Sequence, residues 1–157
     1  MRPRIAELLK KNKSELVWML IEADEIHVPT SIFSTDLGPL EAIVLYLKEK
    51  KDMPVTEIAL RLNRNKRTIW ATYYKAKSAN IKLTESGVNI PLNIFSKQEN
   101  SALESLSHYL KDVLGMKYSE IARLLKRDDR TIWTCYSRFQ KKIHTHKKSR
   151  STKEETK

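Results

Sequence analysis

Glu57-Ile58-Ala59-Leu60-Arg61-Leu62-Asn63-Arg64-Asn65-Lys66-Arg67-Thr68-Ile69-Trp70 decides the fold, because most of it is written twice. Sixty-three residues further on stand Glu120-Ile121-Ala122, Leu125, Arg127 and Arg130-Thr131-Ile132-Trp133. Working outward at the same offset, Leu40-Glu41, Tyr46-Leu47-Lys48, Met53 and Tyr73 recur as Leu103-Glu104, Tyr109-Leu110-Lys111, Met116 and Tyr136. Further upstream Val28-Pro29-Thr30-Ser31-Ile32-Phe33-Ser34 returns as Ile90-Pro91-Leu92-Asn93-Ile94-Phe95-Ser96, with an offset of 62. So many ordered matches at one period mark two copies of a structural unit. The single-residue change in offset falls between Ser34 and Leu40, beside Gly38-Pro39, where a loop absorbs an insertion.

Each copy reads as three helices. Ser101-Ala102-Leu103-Glu104 is a capping box that starts the first helix of copy two. Its counterpart in copy one uses Gly38 as the cap and Pro39 at the first helical position, where a missing N–H costs nothing. Leu40, Ile43, Val44 and Leu47, answered by Leu103, Leu106 and Leu110, lie at helical spacing and form core. The second helix is expected over about 55–62 and 118–125, with the small Ala59 and Ala122 allowing close helix approach. A short turn then leads to Asn65 or Asp128, each suited to cap a third helix. On that helix Ile69, Tyr73 and Ala76, or Ile132, Tyr136 and Phe139, share one face, leaving polar and basic residues on the other. The expected fold is all-α: two tandem trihelical helix-turn-helix units, 27–80 and 90–143, joined by a linker at 81–89. An N-terminal helical segment at 1–26 precedes them and a basic, disordered tail at 144–157 follows.

Composition narrows the function. The 157 residues carry 30 Lys and Arg against 19 acids, a formal charge of +11, which suits a polyanionic partner. One cysteine, Cys135, excludes an intramolecular disulfide and any zinc framework built on thiolates. The longest apolar run, Leu16 to Ile21, is too short for a membrane span, and Glu22, Asp24 and Glu25 follow it in place of a cleavage site. A soluble, cytoplasmic, nucleoid-associated protein with no membrane role is therefore expected. The three glycines form no phosphate-cradling loop. No convergence of nucleophile, base and carboxylate is visible, so neither enzyme activity, cofactor nor small-molecule ligand is expected. His144 and His146 lack a third ligand nearby and make a poor metal pair.

The repeated residues resemble the helix-turn-helix of bacterial transcription factors, and most of all region four of sigma factors. The likeness rests on Glu57-Ile58-Ala59, Leu62, Arg64 and Arg67-Thr68-Ile69-Trp70 with their copies, and covers about two thirds of the chain. In that family an alanine in the first helix is followed four residues later by the turn and ten later by an aliphatic residue of the recognition helix. Ala59, Asn63 and Ile69 match, as do Ala122, Lys126 and Ile132. Where the family usually has glycine, Asn63 accepts a left-handed conformation more readily than Lys126.

The resemblance implies double-stranded DNA as partner, with the third helix of each copy in a major groove. Candidate contacts are Asn65, Lys66, Arg67, Trp70, Ala71 and Tyr74 in copy one, and Asp128, Asp129, Arg130, Trp133, Thr134 and Ser137 in copy two. Arg67 and Arg130 lead, since a guanidinium can donate two parallel hydrogen bonds to guanine. Arg64 and Arg127, in the turns, are expected to clamp phosphates, helped by Lys75, Lys77, Arg138, Lys141 and Lys142. Trp70 and Trp133 fit core and groove equally well. Asn65-Lys66 invites phosphate where Asp128-Asp129 repels it, unless one aspartate caps the helix and the other accepts from a cytosine amino group. Whether the units relate by translation or by a twofold axis is open at this level. The apolar positions of the N-terminal segment suit packing on the first unit, or a homodimer contact. The competing functional readings are the DNA-recognition part of a transposition, partition or sigma-like system, and a helical protein–protein adaptor.

Overall fold

The computed structural model describes residues 25–154, with side chains described as far as Arg150. The expected N-terminal helix and its homodimer contact lie outside the described residues. The chain begins with a short strand β1 (His27–Pro29) and a 3-10 turn at Thr30–Ser34. Three helices follow: α1 (Pro39–Glu49), α2 (Val55–Arg61) and α3 (Lys66–Ser78). Copy two repeats the order with β2 (Asn89–Pro91), a 3-10 turn at Leu92–Phe95, α4 (Ala102–His108) extended by a π turn at Tyr109–Val113, α5 (Tyr118–Leu125) and α6 (Asp129–Glu154).

Local chemistry sets these boundaries as the sequence suggests. Ser101 Oγ accepts from the Glu104 N–H (3.2 Å) while the Ser101 N–H donates to Glu104 (3.1 Å), closing the expected capping box. The Gly38 N–H donates to Glu41 in the same way (3.2 Å). After each first helix the backbone turns through a left-handed residue, Asp52 or Gly115, and after each second helix through another, Asn63 or Lys126. The N–H of Arg64 and of Arg127 then returns to the carbonyl of Ala59 and of Ala122, both at 2.9 Å. Lys126 adopts the left-handed geometry (φ 51°) despite its Cβ; the second helix of copy two is thereby closed like that of copy one.

The two copies meet about a pseudo-twofold axis. β1 and β2 pair antiparallel with Val28 opposite Ile90, His27 opposite Pro91 and Pro29 opposite Asn89. Val28 and Ile90 are each other's repeat equivalents, so the axis passes through that pair. The flanking hydrogen bonds obey the same symmetry, Thr30 N–H to Val88 and Leu92 N–H to Ile26, both 2.8 Å. Equivalent Phe33 and Phe95 are buried against one another with ring centroids 6.0 Å apart. Helices α1 and α4 touch across the axis, and α5 packs on the 3-10 turn of copy one. One continuous core therefore runs from Val28 through Ile132, and a twofold relation answers the question that the linker length left open.

Three expectations need correction. Both strands come from the repeated Val28-Pro29 and Ile90-Pro91 segments, too short to show a period of two. Residues 81–89 are more than a linker: Leu83 is buried and the segment hydrogen bonds to Thr30 and Ser31 through Thr84, Ser86 and Val88. Finally, α6 continues unbroken to Glu154 where a disordered tail was expected. Lys142 and His146, one helical turn apart, reach back from α6 to Glu99 and anchor its middle (2.6 Å to the Glu99 carbonyl, 2.8 Å to its carboxylate).

Candidate nucleic-acid interface

The third helices are positioned by matching devices. Asn65 accepts from the Arg67 N–H at 2.8 Å and caps α3. Asp128 accepts from both the backbone and the hydroxyl of Thr131 at 2.8 Å and caps α6. Those Thr131 hydrogen bonds, side chain first, hold the Asp128 carboxyl below the usual carboxylate range. Ile69, Tyr73 and Ala76 turn inward on α3, and Ile132 and Phe139 on α6. A tyrosine then ties each third helix to the first: the Tyr73 hydroxyl donates to Glu49, and that of Tyr136 to Asp112 at 2.9 Å. Both phenols are raised above their ordinary pKa, Tyr73 chiefly by its carboxylate partner and Tyr136 chiefly by burial.

Fixing the inner face fixes the outer one. On α3, Lys66, Arg67, Trp70, Ala71 and Tyr74 are all exposed and recur every three to four residues, so they share one face. On α6, Asp129, Arg130 and Trp133 are exposed and Thr134 and Ser137 half-buried on the corresponding face. Trp70 is 38% and Trp133 56% exposed, so neither completes the core. Trp70 instead stacks on Tyr74 with centroids 5.4 Å apart and planes 17° from parallel, making a flat aromatic platform; Ser137 replaces that tyrosine in copy two. Around the platform the charge differs sharply, Asn65-Lys66-Arg67 against Asp128-Asp129-Arg130. Because Asp128 is committed to its cap, Asp129 is the free carboxylate at the entrance of copy two.

Arg64 and Arg127 have another task. Arg64 donates to the carbonyls of Gln98 (3.3 Å) and Asn100 (3.2 Å) in copy two, and Arg127 donates to that of Leu37 (3.0 Å) in copy one. Asn100 and Leu37 are repeat equivalents, so the two arginines lock the copies together reciprocally across the axis. Both arginines are half-buried there. Both turn arginines thus serve an internal clamp that the sequence reading did not foresee. No sequence signal marks a carbonyl acceptor in another copy, although the recurrence of arginine at both turns could have suggested a shared structural role. Two further lysines are paired within the chain, the exposed Lys75 with Glu41 and Lys142 with the buried Glu104, both at 2.6 Å. Arg138 and Lys141 are exposed.

Other sites offer less. An open groove of about 780 Å³ between β1, the start of α2 and the 85–89 segment is lined by Ile26, His27, Tyr46, Met53 and Arg61, and by no residue of α3 or α6. Burial raises the Cys135 thiol above its ordinary pKa, which disfavours the reactive thiolate. Among the described residues no group of His, Cys, Asp and Glu could hold a metal ion, and no helix is long and apolar enough to cross a membrane. Compared with protein-family models, curated proteins and solved structures, the chain matches none.

Proposed function

We propose that the protein is a sequence-specific double-stranded-DNA-binding protein that regulates transcription on the nucleoid, its two trihelical units acting as helix-turn-helix modules. The observation that carries this is the outer face of α3, where Lys66, Arg67, Trp70, Ala71 and Tyr74 stand exposed on a helix whose other side is locked into the core. A rigid helix with cationic, hydrogen-bonding and aromatic groups along one side is what a major groove accepts. Arg67 and Arg130 read base edges; Lys66, Arg138 and Lys141 contribute attraction to the backbone. The net charge of +11 supplies the long-range field that draws a duplex in. The proposal assigns the chain no catalytic step and no cofactor.

A mobility-shift titration on duplex DNA at two salt concentrations tests it. Several phosphate contacts give an affinity that falls steeply with salt, and duplex RNA, whose narrow major groove excludes a helix, should compete poorly. No complex at low salt would reject the proposal. A protein–protein adaptor has one observation in its favour, the exposed Val113 and Leu114 at the end of the π turn, 60% and 41% accessible, where copy one carries Lys50 and Lys51. It requires the absence of duplex binding.

A further inference from the structure

We infer that one molecule of this chain is its own pseudo-dimer, and that the duplex it takes is an inverted repeat with two unlike half-sites, a strong one read by α3 and a weaker one read by α6. The inference rests on the DNA-binding proposal and deepens it by naming the class of site.

The β1–β2 pair sets the symmetry between the copies. Two reading helices joined by translation impose a direct repeat on any duplex that both grip; two joined by a twofold axis impose an inverted repeat, because the duplex has dyads of its own. Here the strand pair, the contacts beside it and the arginine clamp are twofold. Val28 faces Ile90. The bonds Thr30 to Val88 and Leu92 to Ile26 have the same length, 2.8 Å. Phe33 lies against Phe95, and Arg64 and Arg127 reach equivalent carbonyls in the opposite copy. This junction is buried and hydrogen bonded, with one core shared between the copies, so spacing and orientation of the two reading faces are set by the fold rather than by a flexible tether. A homodimeric repressor would need two chains for this geometry; here covalent linkage supplies both halves at any protein concentration.

Covalent fusion also frees the halves to differ. In a true dimer the two faces are identical, and so are the half-sites. Here Lys66-Arg67 and the Trp70–Tyr74 stack face one half-site, whereas Asp129-Arg130 and Trp133, with Ser137 at the stacking position, face the other. Asp129 repels phosphate and can accept from a cytosine amino group, while Lys66 attracts phosphate whatever the sequence. Copy one therefore supplies the larger share of affinity.

The test is selection of the whole chain's binding site from a random duplex library, followed by titration of the selected duplex with the stoichiometry read by light scattering. The expected result is one chain per duplex and two related but unequal half-sites in inverted orientation. Arg67→Ala should erase sequence preference in one half and Arg130→Ala in the other, each lowering affinity for the intact site roughly tenfold. Asp129→Lys should strengthen binding and steepen its salt dependence. Half-sites in direct orientation, a single unpaired half-site, or two chains on a symmetric palindrome would overturn the inference while leaving DNA binding standing. Absence of any complex with random duplex at low salt would instead remove the DNA-binding proposal, and this inference with it.

Discussion

Copy one and copy two share their backbone and differ at their surface. The left-handed residues Asp52 and Gly115, Asn63 and Lys126, the tyrosine–carboxylate ties and the reciprocal arginines all stand at equivalent positions. Glu57 caps nothing, because Pro54 has no N–H to offer, and it pairs instead with Arg61 at 2.8 Å; Glu120 at the same position accepts from the Lys117 N–H at 2.7 Å. The 3-10 turn of copy one opens on polar Thr30-Ser31, covered by residues 84–88; that of copy two opens on Leu92-Asn93, with Leu92 packed in the core. Positions that set the backbone turns and the cross-copy clamp are thus retained; others have drifted apart, in the core at Thr30 and Leu92 as well as on the outer faces of α3 and α6, and on those outer faces two different readings of a ligand can arise.

The symmetry at the axis is the first thing to break. Phe33→Ala and Phe95→Ala each remove a fully packed ring from the shared core, and each should cost roughly 3–5 kcal/mol in denaturant unfolding. Nearly equal losses are expected; a difference of more than about 1.5 kcal/mol would mean that the copies do not share the junction evenly.

The reciprocal clamp should then show its own inequality. Arg64 makes two carbonyl hydrogen bonds and Arg127 one, so Arg64→Ala is expected to cost about 3 kcal/mol and Arg127→Ala about 2 kcal/mol. Neither should change the slope of duplex affinity against salt. A slope lower by about one would return that arginine to a phosphate.

Gly87 sharpens the contrast between the two turns. Its φ is +89°, and a Cβ there would collide with Thr30 Oγ1, whereas the equivalent position in copy one is Glu25. Gly87→Ala should cost about 2 kcal/mol by strain and lost packing. Chemical denaturation of the variant checks this, and an unchanged midpoint would mean that the 84–88 segment is not seated on Thr30.

The smallest effect separates the two caps. Asn65→Ala should cost about 1 kcal/mol at any pH, since an amide does not titrate in the range. Asp128→Ala behaves differently. The folded carboxyl is held below its unfolded pKa, so its contribution is complete above the unfolded value and fades as pH falls through the folded one. The melting temperatures of wild type and Asp128→Ala should converge on acidification, while the Asn65→Ala gap stays open.

Much of this architecture was legible. Helix caps have chemical signatures that survive translation into structure, and Ser101 with Glu104, Asn65 and Asp128 all cap where their side chains suggest. Periodicity placed Ile69, Tyr73 and Ile132 inside and hence the candidate reading residues outside. Long-range pairing left no such trace. A three-residue strand carries no period, a guanidinium in a turn does not announce whether a phosphate or a distant carbonyl will receive it, and tryptophan suits core and surface alike. The polar stretch after Ile143 lacks an apolar face, yet one helical turn between Lys142 and His146 lets both reach Glu99; that spacing was the available signal.

The most direct test of the central claim is equilibrium titration of wild type, Arg67→Ala and Arg130→Ala against the selected duplex and against random duplex. If the outer faces of α3 and α6 read base edges, each substitution weakens the selected site by about 1–3 kcal/mol and largely spares random sequence. Equal losses on both duplexes, or none on either, would contradict it.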